Sequence, residues 1–303
     1  MLAAAAALAG CGSDPLDGRG GRPIPLTVAV SAPLRADLAP IIRQTDPAVR
    51  IVTLAPDAAP PPRTDVVLAI TATDFPGQLP LMAPGFNKDS FGGRLGSTVV
   101  AFGVPPGNPL RLRRWRDLLS PGVRVAIADP LGPTDNRLEV LAAVTTIVGA
   151  RHHNAPARDY IGRLFTRAAV APTEKDALNL FATGHANAVV STENHLLEAK
   201  ADGVPLKIIY PPTPMPISIA AGVGSSAARP KAAQGLVDAL HEPGPQKALA
   251  RAGLRPVLVS YAPPDRFPVL APGHTPAILG EANLVTRAYF GPKGVVALAT
   301  KRN

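Results

Sequence analysis

The sequence predicts an α/β fold whose strands lie largely parallel, and three observations lead there. Short apolar runs recur at Leu26 to Val30, Val49 to Leu54 and Val66 to Ile70, each of strand length rather than helix length. Between the first two, Leu34, Leu38, Ile41 and Ile42 fall at helical spacing, which predicts a helix over 33–44 packed on the sheet. Strand–helix–strand order with short links is the pattern of a parallel sheet with right-handed crossovers.

The remaining elements follow in order. Residues 12–25 are rich in Gly, Asp and Pro and read as a tether. The link over 55–63 carries Pro56, Pro60, Pro61 and Pro62, which forbid a helix and predict an extended loop. Ser97 to Val104 is a strong strand closed by Pro105-Pro106-Gly107, followed by a short helix over 114–119 and a strand from Val123 to Ala128. Leu138, Leu141, Ala142 and Val148 mark the apolar face of a helix starting near Asp135. Thr173 with Asp176 resembles a capping box, and Gly184 ends that helix. Asn187 to Ser191 is a strand, Thr192 caps the next helix, Gly203 stops it, and Leu206 to Tyr210 is again a strand. Pro211 to Pro216 reads as a stiff extended crossing into a strand over Ile217 to Val223. Pro230 fits a helix first turn with Ala233, Leu236, Val237 and Leu240 on one face. A further helix covers 245–252, with Gly253 past its end. The last forty residues are mixed and are expected to wrap across the molecule.

Leu8-Ala9-Gly10-Cys11 closes a run of small apolar residues and holds the single cysteine of the 303-residue chain. The pattern looks like a bacterial lipobox. Cleavage before Cys11 and acylation of its sulfur would remove residues 1–10 as a signal remnant and anchor the rest to the cell membrane on its extracytoplasmic side. Gly12-Ser13-Asp14 then begin a flexible polar tether; the alternative is a chance or core cysteine. The apolar run before Cys11 is short and carries no Lys or Arg, so the true leader is expected to start upstream.

Composition excludes several classes. One cysteine permits no internal disulfide and no Cys-rich metal site. Aromatics make up only 4%, too few for the stacking platforms of sugar or single-strand readers. The net charge of +9 is scattered apart from Arg111, Arg113, Arg114 and Arg116, and no long basic stripe with interleaved aromatics marks a nucleic-acid face. There is no G-x-S-x-G, no Walker loop and no G-x-G-x-x-G after a strand. His152-His153 point to different sides with no third ligand nearby in sequence, and Ser225-Ser226 have no base at a telling spacing. No catalytic residue, metal or cofactor is predicted, and the chain is not expected to be an enzyme.

Several segments resemble the periplasmic sulfate- and thiosulfate-binding proteins of ABC importers. Ser97-Thr98-Val99-Val100-Ala101-Phe102 leads through Gly107-Asn108-Pro109 to Trp115-Arg116-Asp117-Leu118-Leu119 and then Gly122-Val123-Arg124-Val125. Those are similar to that family's hinge strand, "GNP" turn, "W-x-D-L" helix and "GV-x-V" strand. Arg137 with Leu141-Ala142-Ala143 resembles the helix after its ligand loop. Asn187-Ala188-Val189-Val190 with Glu193-Asn194 resembles its "E-N" segment, and Phe267-Pro268 with Gly291-Pro292-Lys293-Gly294-Val295-Val296 its tail. The resemblance implies a type II periplasmic solute-binding fold: two α/β lobes with hinge-crossing strands. Residues 26–96 and 216–262 would form lobe 1, 97–215 lobe 2, and 263–303 a segment packing across both. It also implies a small solute in the cleft, sulfate or thiosulfate among the candidates, an ABC permease as membrane partner, and a monomer.

The resemblance leaves two readings of the site open. In the first, Ser31, Thr71, Thr134, Arg137, Thr173 and Thr192 hold an oxyanion, Arg137 balancing charge and the hydroxyls donating. In the second, departures from the family pattern govern. Its glycine-rich ligand loop falls on Pro133-Thr134-Asp135-Asn136-Arg137, a second glycine-rich loop and helix give way to 55–64, and Glu174 stands where a small residue is usual. Asp135, Glu174 and Glu193 then make the cleft unfriendly to sulfate and favour a neutral or cationic solute, none at all, or a surface lipoprotein using the fold for protein interaction. For each residue a purely local role competes: Asp135 and Thr173 as helix caps, Arg137 as a surface ion-pair partner, Glu193 as a first-turn acid.

Overall fold

The computed structural model describes residues 24–54, 61–71, 81–88, 91–132, 137–149 and 155–301. Alternation in the apolar runs builds the first strands. In β1 (Thr27–Ser31), Val28 and Val30 face one core and Ala29 the opposite one. β2 (Arg50–Leu54) and β3 (Val66–Thr71) flank it in parallel, with Thr27 opposite Arg50 and Val28 opposite Val66. The chain returns to this half much later: β9 (Pro216–Val223) lies antiparallel to β3, from Val66 opposite Val223 to Thr71 opposite Ser218. Helices α1 (Arg35–Thr45), α6 (Pro230–Leu240) and α7 (Pro243–Arg251) cover one face. Their Leu38, Ile42, Leu236, Leu240 and Leu249 bury against Val28, Val30, Val66 and Leu68.

One strand, β4 (Arg94–Val104), joins the two halves. Its first part pairs with β9, from Arg94 opposite Ala220 to Val99 opposite Pro216. Its last part pairs antiparallel with β7 (Ala188–Thr192) and β8 (Lys207–Ile209). β5 (Val125–Ala128) and β6 (Ala169–Ala171) extend that second half in parallel. The order among the described strands is β2-β1-β3-β9-β4-β7-β5-β6, with β8 and β10 (Arg255–Pro256) also on β4. Alternation along β4 again serves two faces. Val100, Phe102 and Val104 bury with α2 (Arg137–Val148) and α3 (Ala155–Arg167), and Ala101 with α4 (Glu174–Ala182) and α5 (Glu193–Ala201). The architecture is therefore the expected two-part α/β fold: β2, β1 and β3 run parallel in one half and β7, β5 and β6 in the other, with β9 and β4 antiparallel to their neighbours between them.

Differences from expectation are local. β4 starts at Arg94 rather than Ser97, because a register shift between Arg94 and Gly96 lets the extra residues pair with β9. The short helix expected over 114–119 is present as a 3₁₀ helix, Trp115–Leu119; the Asp117 carboxylate accepts from the N–H groups of Arg113 and Arg114 at its start. Neither α3 nor β6 was predicted, although α3 buries Ala157, Tyr160, Ile161, Leu164 and Phe165 at regular helical spacing. After β10 the chain lays Phe267 under the Arg255 guanidinium, 5.6 Å from its ring centroid. It ends in α8 (Ala282–Tyr289) and α9 (Val295–Thr300), whose Val285, Tyr289 and Val296 bury with α2 and α3. No described helix is long and apolar enough to cross a membrane. Cys11, the tether up to residue 23, residues 55–60 of the proline-rich link, Thr134, Asp135 and His152-His153 lie outside the described residues.

Candidate functional site

The carboxyl ends of the parallel strands meet where the sheet changes halves. β1 runs toward α1 there, β6 into α4 and β7 into α5. Helix starts gathered at strand ends are where open α/β sheets bind ligands. A cavity of about 10 Å³ lies at this point, room for about one water. Pro33, Leu34 and Ile70 line it from the first half, and Thr98, Leu138, Glu139, Glu174, Thr192, Asn194 and His195 from β4 and the second.

Glu174 is the centre of the polar side. It opens α4 behind the N-cap Thr173 and is buried. Its Oε1 accepts from Ser191 Oγ at 3.1 Å, from the Thr192 N–H at 3.3 Å and from Thr192 Oγ1 at 3.4 Å. Its Oε2 lies 2.6 Å from His195 Nδ1. His195 Nε2 in turn faces Asp37 Oδ2 at 3.9 Å, and Asn194 Nδ2 donates to the same oxygen at 3.0 Å. Thr98 Oγ1 donates to Asn194 Oδ1 at 3.1 Å. Asp37 stands on α1, so this chain of contacts ties the first half to the first turn of α5. Gly253 fixes that turn from behind. It ends α7 at φ +80°, and a Cβ there would sit 2.8 Å from the Asn194 Cα, so only a bare backbone fits.

Charge is distributed unevenly. Burial alone would push Glu174 up, but the His195 charge and hydrogen bond outweigh it and hold the carboxyl down at about 2. Burial would likewise lower His195, and the neighbouring Glu174 raises it instead to about 9. Burial lifts Asp37 to about 6, against the pull of His195. Glu139 is 1% exposed. Burial first, and the Glu174 charge second, push it well above the ordinary carboxyl range. Near neutral pH the pair Glu174–His195 cancels and Asp37 leaves a net negative charge, while Glu139 keeps its proton to higher pH than an ordinary carboxyl.

Of the predicted residues, Thr192 reaches the cavity. It occupies the N-cap position of α5 but makes no side-chain capping bond. Its hydroxyl donates to Glu174 Oε1 at 3.4 Å and lies 3.0 Å from His195 Nδ1. Ser31 Oγ accepts from the Ile70 N–H at 3.2 Å and joins the ends of β1 and β3. Thr71 closes β3, with its side chain outside the described set. Thr173 caps α4, accepting from the Asp176 N–H and donating to its carboxylate at 2.7 Å. The Arg137 guanidinium lies 5.3 Å from the Phe290 ring centroid. Glu193, expected to charge the cleft, does not line the cavity. Arg255 grips it through two bonds of 2.6 and 2.7 Å, and Tyr210 Oη donates to it at 2.6 Å. Sequence reasoning missed Asp37, Thr98, Glu139, Asn194 and His195. The one local signal was Glu139, an acid on the apolar stretch Leu138 to Val144.

Comparison with known proteins agrees with this fold. A profile for bacterial extracellular solute-binding proteins matches residues 54–255. The sulfate-binding protein of Synechococcus elongatus is 25% identical over 223 residues, 71% of this chain and 64% of that protein. That of Synechocystis is 28% identical over 188 residues, 58% and 53% of the two chains. The chain thus spans less than two thirds of either relative's length. Among solved structures, the sulfate-binding protein SubI from Mycobacterium tuberculosis superposes with a TM-score of 0.66 at 24% identity, covering 88% of this chain and 99% of its own. The apo ferric ion-binding protein A of Pasteurella haemolytica reaches 0.66 at 11% identity over 92% and 99%. At these identities the structural likeness is one of fold, and that fold is the type II periplasmic one. With two thirds of its length matched, the chain belongs to the bacterial extracellular solute-binding protein family.

Proposed function

We propose that this protein is the solute receptor of an ABC import system of the sulfate-binding type, and that its own solute is a cation. Residues 26–96 with 216–262 and residues 97–215 would close on it, and a lipid on Cys11 would hold the receptor at the outer face of the cell membrane. The negative charge left over by Asp37, whose Oδ2 lies 3.9 Å from the cavity-lining His195, carries the choice of solute, since His195 already balances Glu174. A sulfate dianion about 4 Å from one uncompensated carboxylate meets roughly 8 kcal/mol of repulsion at an effective dielectric near 20, which takes several charge-assisted hydrogen bonds of about 1.5–3 kcal/mol each to offset. A cation meets attraction at the same place.

The names of the two cyanobacterial relatives favour a second reading, sulfate itself. Titration calorimetry of the purified domain separates the two. Sulfate, thiosulfate, molybdate and phosphate should give no heat at millimolar concentration, whereas a panel of divalent metal ions, spermidine and choline should contain at least one binder. Micromolar sulfate binding would reverse the assignment. For the anchor, Cys11→Ser should move the expressed protein from the membrane to the soluble fraction; retention in the membrane fraction would exclude acylation as the tether.

A further inference from the structure

We propose that Asp37, His195 and Glu198 form a binding site for a divalent first-row transition-metal ion that bridges the two halves at the rim of the cleft. The inference deepens the cationic-solute reading and rests on it. One ligand atom from each of the three residues lies within 4.8 Å of the others. His195 and Glu198 are three apart on α5 and share a face, and Asp37 approaches from α1 in the other half. His195 Nε2 and Asp37 Oδ2 are 3.9 Å apart. Metal bonds of about 2.0–2.2 Å to nitrogen and oxygen fit between two such atoms with little movement.

The second shell matches as well. Glu174 Oε2 is 2.6 Å from His195 Nδ1, which turns Nε2 toward Asp37. A carboxylate on the far nitrogen is the usual companion of a metal-ligating histidine. Two carboxylates and one imidazole suit zinc or manganese better than calcium or magnesium, which prefer all-oxygen shells, and better than copper(I), which prefers sulfur. Glu198 is exposed, so the rim is open to an incoming ion.

Chelator-treated protein titrated with zinc chloride or manganese chloride in a non-coordinating buffer tests the site. Wild type should bind one ion with a raised melting temperature. Glu198→Gln, at an exposed position that folding does not depend on, should weaken binding at least tenfold, and Asp37→Asn should do the same. His195→Gln should abolish it; should that variant fail to fold, the other two decide. No binding by wild type at 1 mM metal, or binding unchanged in both Glu198→Gln and Asp37→Asn, would overturn the site. Silence toward metals with binding of spermidine or choline would remove the metal and leave the cationic reading standing, and micromolar sulfate binding would remove both.

Discussion

Replacing Glu174 with alanine should cost about 3–5 kcal/mol of folding stability. The carboxylate is buried and serves four contacts: the Ser191 hydroxyl, the Thr192 N–H, the Thr192 hydroxyl and His195 Nδ1. Truncation leaves a buried N–H without its acceptor and the half-buried His195 imidazolium without its counter-ion. Set against a typical total of about 5–15 kcal/mol, such a loss is large. An acid in the first turn of a helix that acted only on the helix dipole would contribute about 0.3–1 kcal/mol, so the two roles are separable by urea denaturation alone. Glu174→Gln keeps an acceptor for Ser191 and Thr192 and gives up only the charge facing His195, so its loss should be smaller than that of Glu174→Ala. A Glu174→Ala midpoint within 1 kcal/mol of wild type would mean that the contacts hold nothing together.

The parts of this fold that could be read from sequence are those set by neighbours in the chain. Val28 and Val30 against Ala29 announce a strand between two cores, Thr173 with Asp176 announces a helix start, and Pro230 announces another. α3 was equally legible, since Ala157, Tyr160, Ile161, Leu164 and Phe165 repeat at helical spacing; β6 was not, because three residues carry no period. The site belongs to a different category. Asp37 and Asn194 meet across 157 positions, and Glu193 finds Arg255 across 62. Arg137, read as a charge for an anion, lies over Phe290, which the tail folding back brings to α2. A residue type announces what chemistry is available; whether Glu193 is a free acid in a cleft or half of a buried ion pair depends on where a segment far along the chain comes to rest.

Glu139→Gln should stabilise the protein at alkaline pH and leave it nearly unchanged in mild acid. Glu139 is fully buried on α2, faced by Glu174 from α4, with His195 on α5 lining the same cavity. Burial and the Glu174 charge hold its proton on in the folded state at pH values where the unfolded chain, with an ordinary carboxyl near 4.5, has lost it. The folded state then binds more protons than the unfolded one, so stability falls as pH rises above 4.5, by up to about 1.4 kcal/mol per pH unit until the folded group itself ionises. Below 4.5 both states carry the proton and the group contributes no slope. Glutamine copies the protonated acid in size and still offers a donor toward Glu174, but it has no proton to lose. Melting temperatures of the two proteins should therefore converge near pH 4.5 and separate steadily toward pH 8, with the variant higher. His195, raised to about 9, adds a slope of the same sign to both proteins, so the difference between the curves reports Glu139 alone. Parallel curves from pH 5 to 8 would show that Glu139 carries no perturbed proton, and that its carboxyl reaches water or a cation in solution.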